Sequence, residues 1–244
     1  MFCLAFENNQ ETEKRSLMKF LKREWLQLLI LVAPFCVAAL LWDRLPDRLP
    51  IHWNFRGEID GYAGKKFAAL FFPILNLALV VLIGFLPRLD PKCRNYDVET
   101  QASIAGVFRI FRLAFSLFFS SLPLAIFAVA LGFHLDMTRF LAGGLGVMIA
   151  VMGNSMGKLR PNWFAGFRTP WTLELRVVWM KTHRLGGRLM VASGACLFAE
   201  SLFLPTRLCF LVGLLPLVIL VGIVPAVYSY FSYQAEKKFS ETVH

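Results

Sequence analysis

Apolar positions in this chain gather into long runs, and the charged ones crowd into the short intervals between them. A bilayer core of ~30 Å calls for about 20 apolar residues of helix. Runs of that quality occur at Trp25–Trp42, Phe67–Leu86, Leu113–Leu131, Thr138–Gly153, Leu189–Leu204 and Leu208–Tyr230. The pattern predicts an all-α polytopic membrane protein with six transmembrane helices. Thr138–Gly153 and Leu189–Leu204 are short for a full crossing, so their ends extend into flanking residues or meet a thinned bilayer. The first run is long for a signal-peptide core, and Ala38-Ala39-Leu40-Leu41-Trp42 lacks a small-x-small cleavage pattern, so an uncleaved anchor is expected.

The interval after the first run, residues 43–66, carries a period of its own. Ile51, Trp53 and Phe55 alternate with His52, Asn54 and Arg56, which is the period of a short strand, and Gly57 permits a turn behind it. The apolar row can lie on helix ends or the membrane interface, leaving the polar row for water or a ligand. A metal site would need three or four ligands, and only His52, Asp60 and Glu58 are offered, so no metal is expected. Two readings stay open: a structured turn, with Asp60 and Lys65 holding backbone groups or each other, or a surface that recognises an extracytoplasmic ligand.

A second interval, Gly153–Leu173, is denser in chemistry than solubility in lipid requires. Asn154, Gly157, Pro161-Asn162 and Gly166 are turn formers, set among Lys158, Arg160, Trp163 and Arg168. Thr169 suits a helix N-cap and Pro170 the first helical position. The helix they open should run through Leu173, Val177, Val178 and Trp179. Glu174 in its first turn, with Lys181, His183 and Arg184 in its last, matches the sign each end of the dipole favours. Gly186-Gly187 should stop or bend it before the fifth crossing. A short interfacial helix between spans four and five is therefore expected, anchored by Trp171 and Trp179.

Charge adds an orientation. The net charge of +10 comes from 26 Lys and Arg, of which 19 fall on one side of the six crossings and 7 on the other. The rich side holds Lys14 to Arg23, Arg88 to Arg112, Lys158 to Arg188 and Lys237-Lys238, and the poor side Arg44, Arg48, Arg56, Lys65, Lys66, Arg139 and Arg207. The positive-inside rule then puts both termini and the Gly153–Leu173 run in the cytoplasm. Topology alone accounts for the basic loops, so direct nucleic-acid binding is not expected. Five cysteines, Cys3, Cys36, Cys93, Cys196 and Cys209, form no C-x-x-C pair and imply neither a disulfide framework nor a metal cluster.

Gly153-Asn154, Lys158, Arg160-Pro161-Asn162, Gly166, Arg168-Thr169-Pro170-Trp171-Thr172, Trp179, Thr182-His183 and Gly186-Gly187 resemble the signature region of the SdpI family, the immunity membrane proteins of the sporulation-delaying-protein system. Pro50-Ile51-His52, Gly57, Asp60-Gly61-Tyr62 and Lys65 resemble the uncharacterised membrane domain that commonly precedes that region. The resemblance implies protection against, or sensing of, a secreted antimicrobial peptide, with a cytoplasmic repressor held at the membrane as the output. On that reading His52, Asn54, Gly57, Asp60 and Lys65 are ligand-binding residues on the outer loop. Asn154, Lys158, Arg160, Asn162, Gly166, Arg168, Thr169, Pro170, Trp171, Trp179 and His183 form the signature loop and its partner-binding face. The chain then divides into a charged segment 1–23, a first helix pair 24–100, an SdpI-like four-helix region 101–232 with its signature loop at 153–188, and a tail 233–244.

A small secondary transporter of the inner membrane is the alternative. Its cues are helix-breaking or polar residues within spans, Pro73, Asn76, Pro123, Gly143-Gly144, Glu200 and Pro216, and intramembrane carboxylates are functional suspects. The same glycines also suit close helix packing. No H-E-x-x-H, G-x-S-x-G or paired intramembrane aspartate occurs, so catalysis is not expected, no cofactor is implied, and lipid is the one certain partner.

Overall fold

The computed structural model describes residues 2–54, 56–91, 95–205, 208, 212–213 and 215–243, with side chains in the first helix from residue 22 onward and at Met18. The readings made above on Phe55, Lys92, Cys93, Arg94, Arg207 and Cys209, and on the side chains of Cys3, Lys14, Arg15 and Lys19, fall outside it. Helix α1 (Phe2–Leu41) leads into an antiparallel hairpin of β1 (Arg48–Trp53) and β2 (Ile59–Gly64). Then follow α2 (Lys65–Leu89), α3 (Val98–Ala130), α4 (Met137–Met156), α5 (Pro170–Glu174) and α6 (Arg176–Phe203). The last span combines α7 (Leu215–Val218), a π-helical stretch Ile219–Ile223 and α8 (Val224–Val243). The chain is mostly helical, and the hairpin is an exception to the all-α expectation that the alternation at 51–56 had already signalled.

Five helical stretches are long and apolar enough to cross a membrane: Lys22–Leu41, Lys65–Leu89, Val98–Ala130, Met137–Met156 and Pro216–Thr242. Each overlaps a run read from the sequence. The remaining run, Leu189–Leu204, forms the second half of α6, whose first half carries Arg176, Lys181, Arg184 and Arg188. Here the structure corrects the sequence reading. The helix that Thr169 opens is only the five residues of α5, which ends at an extended Leu175 (φ −116°, ψ 119°), and α6 then runs unbroken through Gly186-Gly187.

Those glycines are spent on helix contact instead. Among the described residues α4 and α6 make the most extensive helix pair, and they touch backbone to backbone at two levels. A Cβ on Gly187 would lie 2.7 Å from the Gly153 carbonyl oxygen, and one on Gly194 would lie 2.5 Å from that of Gly146. Between membrane helices no hydrophobic force favours association, so close van der Waals approach over small residues is what holds such a pair. The two levels are seven residues apart on each helix, about two turns, which puts both on one face.

Polar side chains join the first three helices. Gln27 Nε2 on α1 donates to Ser116 Oγ on α3, which donates to Asn76 Oδ1 on α2 (3.1 Å). Asn76 Nδ2 donates to Ser120 Oγ (2.9 Å), and Ser120 Oγ donates to the Ile30 carbonyl (2.8 Å). All four side chains are buried. At the same level as the start of the apolar part of α1, Glu24 pairs with Arg112. Hydrogen bonding offsets much of the cost of burying these polar groups, although Gln27 Oε1 takes no donor, and the mutual bonds fix the rotation of α1 against α2 and α3.

Candidate functional site

At one end of the bundle the hairpin closes the turn between α3 and α4. Leu49 is fully buried, and Ile51 and Trp53 pack against a cluster that includes Ala68, Ala69, Phe127 and Met137. In the opposite row His52 and Arg56 are exposed and Asn54 is half-buried. His52 Nδ1 lies 2.5 Å from Asp60 Oδ1 across the strands, with side-chain exposures of 70% and 43%. Asn54 organises the turn: its Oδ1 accepts from the backbone N–H groups of Arg56 (2.8 Å) and Glu58 (3.1 Å), and its Nδ2 donates to the Glu58 carboxylate (2.8 Å). Gly57 sits at φ +79°, a conformation natural for glycine. Asp60 and Lys65 do not hold each other. Asp60 takes His52, while Lys65 Nζ stands 5.1 Å over the Trp42 ring. Among the described residues no group of three or more His, Cys, Asp or Glu could hold a metal ion.

At the other end, the signature loop 157–169 wraps the start of α6. Asn162 is its internal brace, with Oδ1 accepting from the N–H groups of Phe164 (2.9 Å) and Ala165 (2.8 Å) and Nδ2 donating to the carbonyls of Arg160 (3.0 Å) and Ala165 (3.2 Å). Every bond an asparagine side chain can readily make is thus spent within the loop. Buried Asp90, at the end of α2, accepts from the Trp163 N–H and from the Tyr96 hydroxyl, both at 3.1 Å. Ser103 Oγ donates to the Lys158 carbonyl (2.6 Å), and Arg160 reaches Glu99 (3.3 Å), so α3 supports the loop as well.

Beneath the loop lies a stack of rings. Trp179 and His183, one turn apart on α6, are both fully buried, with ring centroids 4.0 Å apart at 17°. Trp179 Nε1 donates to the Leu159 carbonyl (2.8 Å). His183 Nε2 accepts from the Phe167 N–H (3.0 Å), which requires the Nδ1-protonated tautomer, and Nδ1 then donates to the Trp179 carbonyl (2.8 Å). Burial lowers the His183 pKa to about 4, against the opposing pull of the Trp179 backbone bond, so the ring is neutral at physiological pH. Gly166 has φ +112° directly over this ring, and Gly186 leaves room for Phe167, whose Cζ would be 2.5 Å from a Cβ there.

The expectation that Trp179 anchors the membrane interface and that His183 serves the dipole at a helix end is therefore corrected. Both are core residues of the loop-to-helix junction. The signal that could have found them is a stripe at 178, 179, 182, 183, 186, 187, 190, 193, 194 and 197, every member of which is buried in α6. Its spacing of three and four is a helix face. The neighbours Lys181, Arg184 and Arg188, which suggested a surface, stand on the other side. Asp90 carried no comparable signal, because its partner Trp163 lies 73 residues away.

Thr169 and Thr172 form the expected cap as a reciprocal pair, with each hydroxyl accepting from the other's backbone N–H at 3.0 and 3.3 Å. Pro170 follows at the first helical position. Thr169 Oγ1 also meets Ser229 Oγ of α8 (2.8 Å), and Trp171 packs edge-on against Tyr230 (5.1 Å). Tyr233 donates to Glu174 (2.7 Å) and Lys181 to Glu236 (2.5 Å), fastening α5 and α6 to the last helix. Asn154, Lys158 and Arg168 are exposed, with Arg168 5.9 Å over the exposed Trp163 ring. The two sets of site residues are thus at opposite ends of the bundle.

Apolar helices of spanning length, joined by a hydrogen-bonded polar seam, define a multi-pass protein of the cell membrane. Residues 158–229 match the SdpI/YfhL protein family, and residues 29–77 match a domain of unknown function, DUF1648. The chain is 26% identical over 211 residues to "Immunity protein SdpI" of Bacillus subtilis (strain 168), covering 86% of this chain and 97% of that one. No solved structure matches. Within its class, then, the match to the SdpI/YfhL family falls where the loop motifs stand, with the match to DUF1648 in front.

Proposed function

We propose that this is a membrane immunity protein that protects its cell from a secreted antimicrobial peptide. The observation that carries the reading is the end-to-end likeness to an immunity protein, 97% of whose length aligns. The built state of both motif regions supports it. A family likeness confined to apolar runs would mean only a shared solvent, whereas here the matched regions include the Asn54 turn and the Trp179–His183 stack. In this reading α6 supplies the sixth crossing, both termini and the signature loop are cytoplasmic, and α5 lies at the inner interface. The His52–Asp60 hairpin faces the incoming peptide, and Lys158, Arg168 and the exposed face of α6 form the output surface, where a transcriptional repressor would be held. The protein works by binding, not catalysis.

Expression in a peptide-sensitive host, challenged with culture supernatant from strains that secrete such peptides, tests the reading. Survival should rise at least tenfold over vector. Unchanged killing by every supernatant, with the protein present in the membrane, overturns it. Labelling of cysteines introduced at His52 and Arg168 tests the orientation, since an impermeant reagent added outside should reach only position 52. A transport reading draws on Glu200 within α6, and loss of proton-coupled flux in Glu200→Gln proteoliposomes would favour it.

A further inference from the structure

At the loop end of the bundle the seam between α1 and α3 carries charge that the motif regions do not use. Arg112 on α3 pairs with Glu24 on α1, and Arg23 shares the same carboxylate (3.6 Å). Arg109, one turn before Arg112, donates to the Arg23 carbonyl, which is neutral. Among the described residues, these three guanidiniums thus hold one carboxylate between them. The excess is two positive charges at one spot, where the Arg23 side chain is 62% exposed.

Helix α2 brings a fourth guanidinium. Arg88 Nη1 lies 3.5 Å from the Gly84 carbonyl oxygen, and its head stands 5.5 Å over the Phe85 ring. Arg112 reaches the same glycine, since a Cβ on Gly84 would lie 3.4 Å from Arg112 Nη1. Arg88 and Arg112 therefore meet at one residue of α2, and the four heads form a single cluster across three helices.

Depth says which anion the cluster meets. Counting from Leu77, the middle of α2, Gly84 stands about 10 Å along the helix axis and Arg88 about 16 Å. With α2 centred in a bilayer whose apolar half-thickness is about 15 Å, the heads straddle the boundary where lipid phosphates begin. Trp25, next to Glu24 on α1 and 60% exposed, suits the same boundary, which indole rings favour. Below it on α2, Val81, Leu82 and Phe85 are half exposed, so an acyl chain has an apolar surface to follow. A soluble anion has no part that would use that surface. The guanidinium fork matches two phosphate oxygens, and basic side chains at this depth draw anionic lipid.

We infer that this cluster is a binding site for the phosphate of an anionic phospholipid, seated where α1, α2 and α3 meet. The site stands whether or not the protein confers immunity.

The test titrates the full chain in dodecylmaltoside with phosphatidylglycerol or phosphatidylcholine and counts the retained lipid by native mass spectrometry. Phosphatidylglycerol should bind at least about fivefold more tightly, the worth of one basic residue near an anionic lipid. Arg23→Gln with Arg109→Gln should weaken it at least about tenfold, as the loss of two such charges requires. Arg184→Gln with Arg188→Gln, an exposed pair on α6 at the same end, should change it less than about twofold. If the first pair does not extract as monodisperse protein, Arg23→Gln alone carries the test, because the carbonyl that Arg109 uses is kept. It should cost about fivefold, and Arg23→Lys should restore most of the loss. Equal binding of the two lipids, equal losses in the two pairs, which would mean diffuse attraction, or displacement of the lipid by an equal concentration of inorganic phosphate each overturn the inference.

Discussion

Gly166→Ala should be among the most damaging single-methyl substitutions in the molecule. At φ +112° an alanine is strained, at a cost of about 1–3 kcal/mol. The added methyl also overlaps His183 Nε2 and lies 3.1 Å from its Cδ2. Relief requires the ring to move, and moving it breaks the Phe167 N–H bond (3.0 Å) and the 4.0 Å stack on Trp179. A buried N–H left without a partner costs about another 1–3 kcal/mol. These costs overlap rather than add, so a loss of about 2–5 kcal/mol is expected. Gly157→Ala is the control, because Gly157 is helical (φ −66°, ψ −14°) and its nearest foreign atom would be 3.8 Å from a new Cβ. That change should be neutral or slightly stabilising, by up to about 1 kcal/mol. Thermal unfolding of both variants in one detergent, followed by tryptophan fluorescence and by retention on size exclusion, measures the difference. Equal midpoints for Gly166→Ala and Gly157→Ala would refute the claim that the loop rests on the His183 ring.

Four further outcomes follow from the same geometry. Trp179→Phe keeps the ring stack but strands the Leu159 carbonyl, and should cost about 1–3 kcal/mol in the same unfolding assay. Gly194→Leu drives a side chain into the Gly146 carbonyl and should separate α4 from α6, read as loss of monodisperse protein after extraction, while Gly222→Leu, with open space around it, should extract normally. A double-mutant cycle of Asn76→Ala with Ser120→Ala should return a coupling of about 0.6–2 kcal/mol, the range for interhelical hydrogen bonds in membranes. His183 has its folded pKa depressed to about 4 from 6.5, so the unfolded state binds more protons between those values and stability falls as pH drops through that window. Unfolding midpoints measured from pH 7 to pH 4.5 should fall in wild type and fall less in His183→Gln. Parallel slopes would refute the neutral buried ring.

Five helices of spanning length were legible because water's exclusion from the bilayer writes itself as length, and length survives any detail of packing. The hairpin was legible for a related reason: Ile51 and Trp53 alternate with His52 and Asn54, and a two-residue period has few other causes. What misled was local chemistry read without its third dimension. Gly186-Gly187 looks like a helix stop in a polar loop, but a helix already hydrogen-bonded on both sides gains nothing by ending there. Met156 and Phe167 instead use the missing side chains as a seat. Lys181 and Arg184 made their neighbours look like surface, although residues two apart on a helix point in nearly opposite directions. The polar seam through Gln27, Ser116 and Ser120 went unread because single polar residues in an apolar run are visible only as partners of one another.

This division bears on how the signature region should be interrogated. Of its motif residues, Asn162, Thr172, Trp179 and His183 are buried, and their polar atoms are engaged in folding the loop onto α6. Losing protection on substituting any of them would report a collapsed loop, not a lost partner. The side chains of Lys158, Trp163, Phe164, Arg168 and Arg184 are exposed, and the loop is folded through the backbone of the first three and not through these side chains. A partner that docks here is read through exposed side chains such as these. Replacing Lys158 and Arg184 together by Gln should leave the unfolding midpoint within about 0.5 kcal/mol of wild type, as surface changes generally do. If a repressor is held here, the same variant should release it from purified membranes. Retention by that variant, with release by His183→Gln alone, would mean that the output surface lies elsewhere and that the loop serves only to keep α4, α6 and α8 in register.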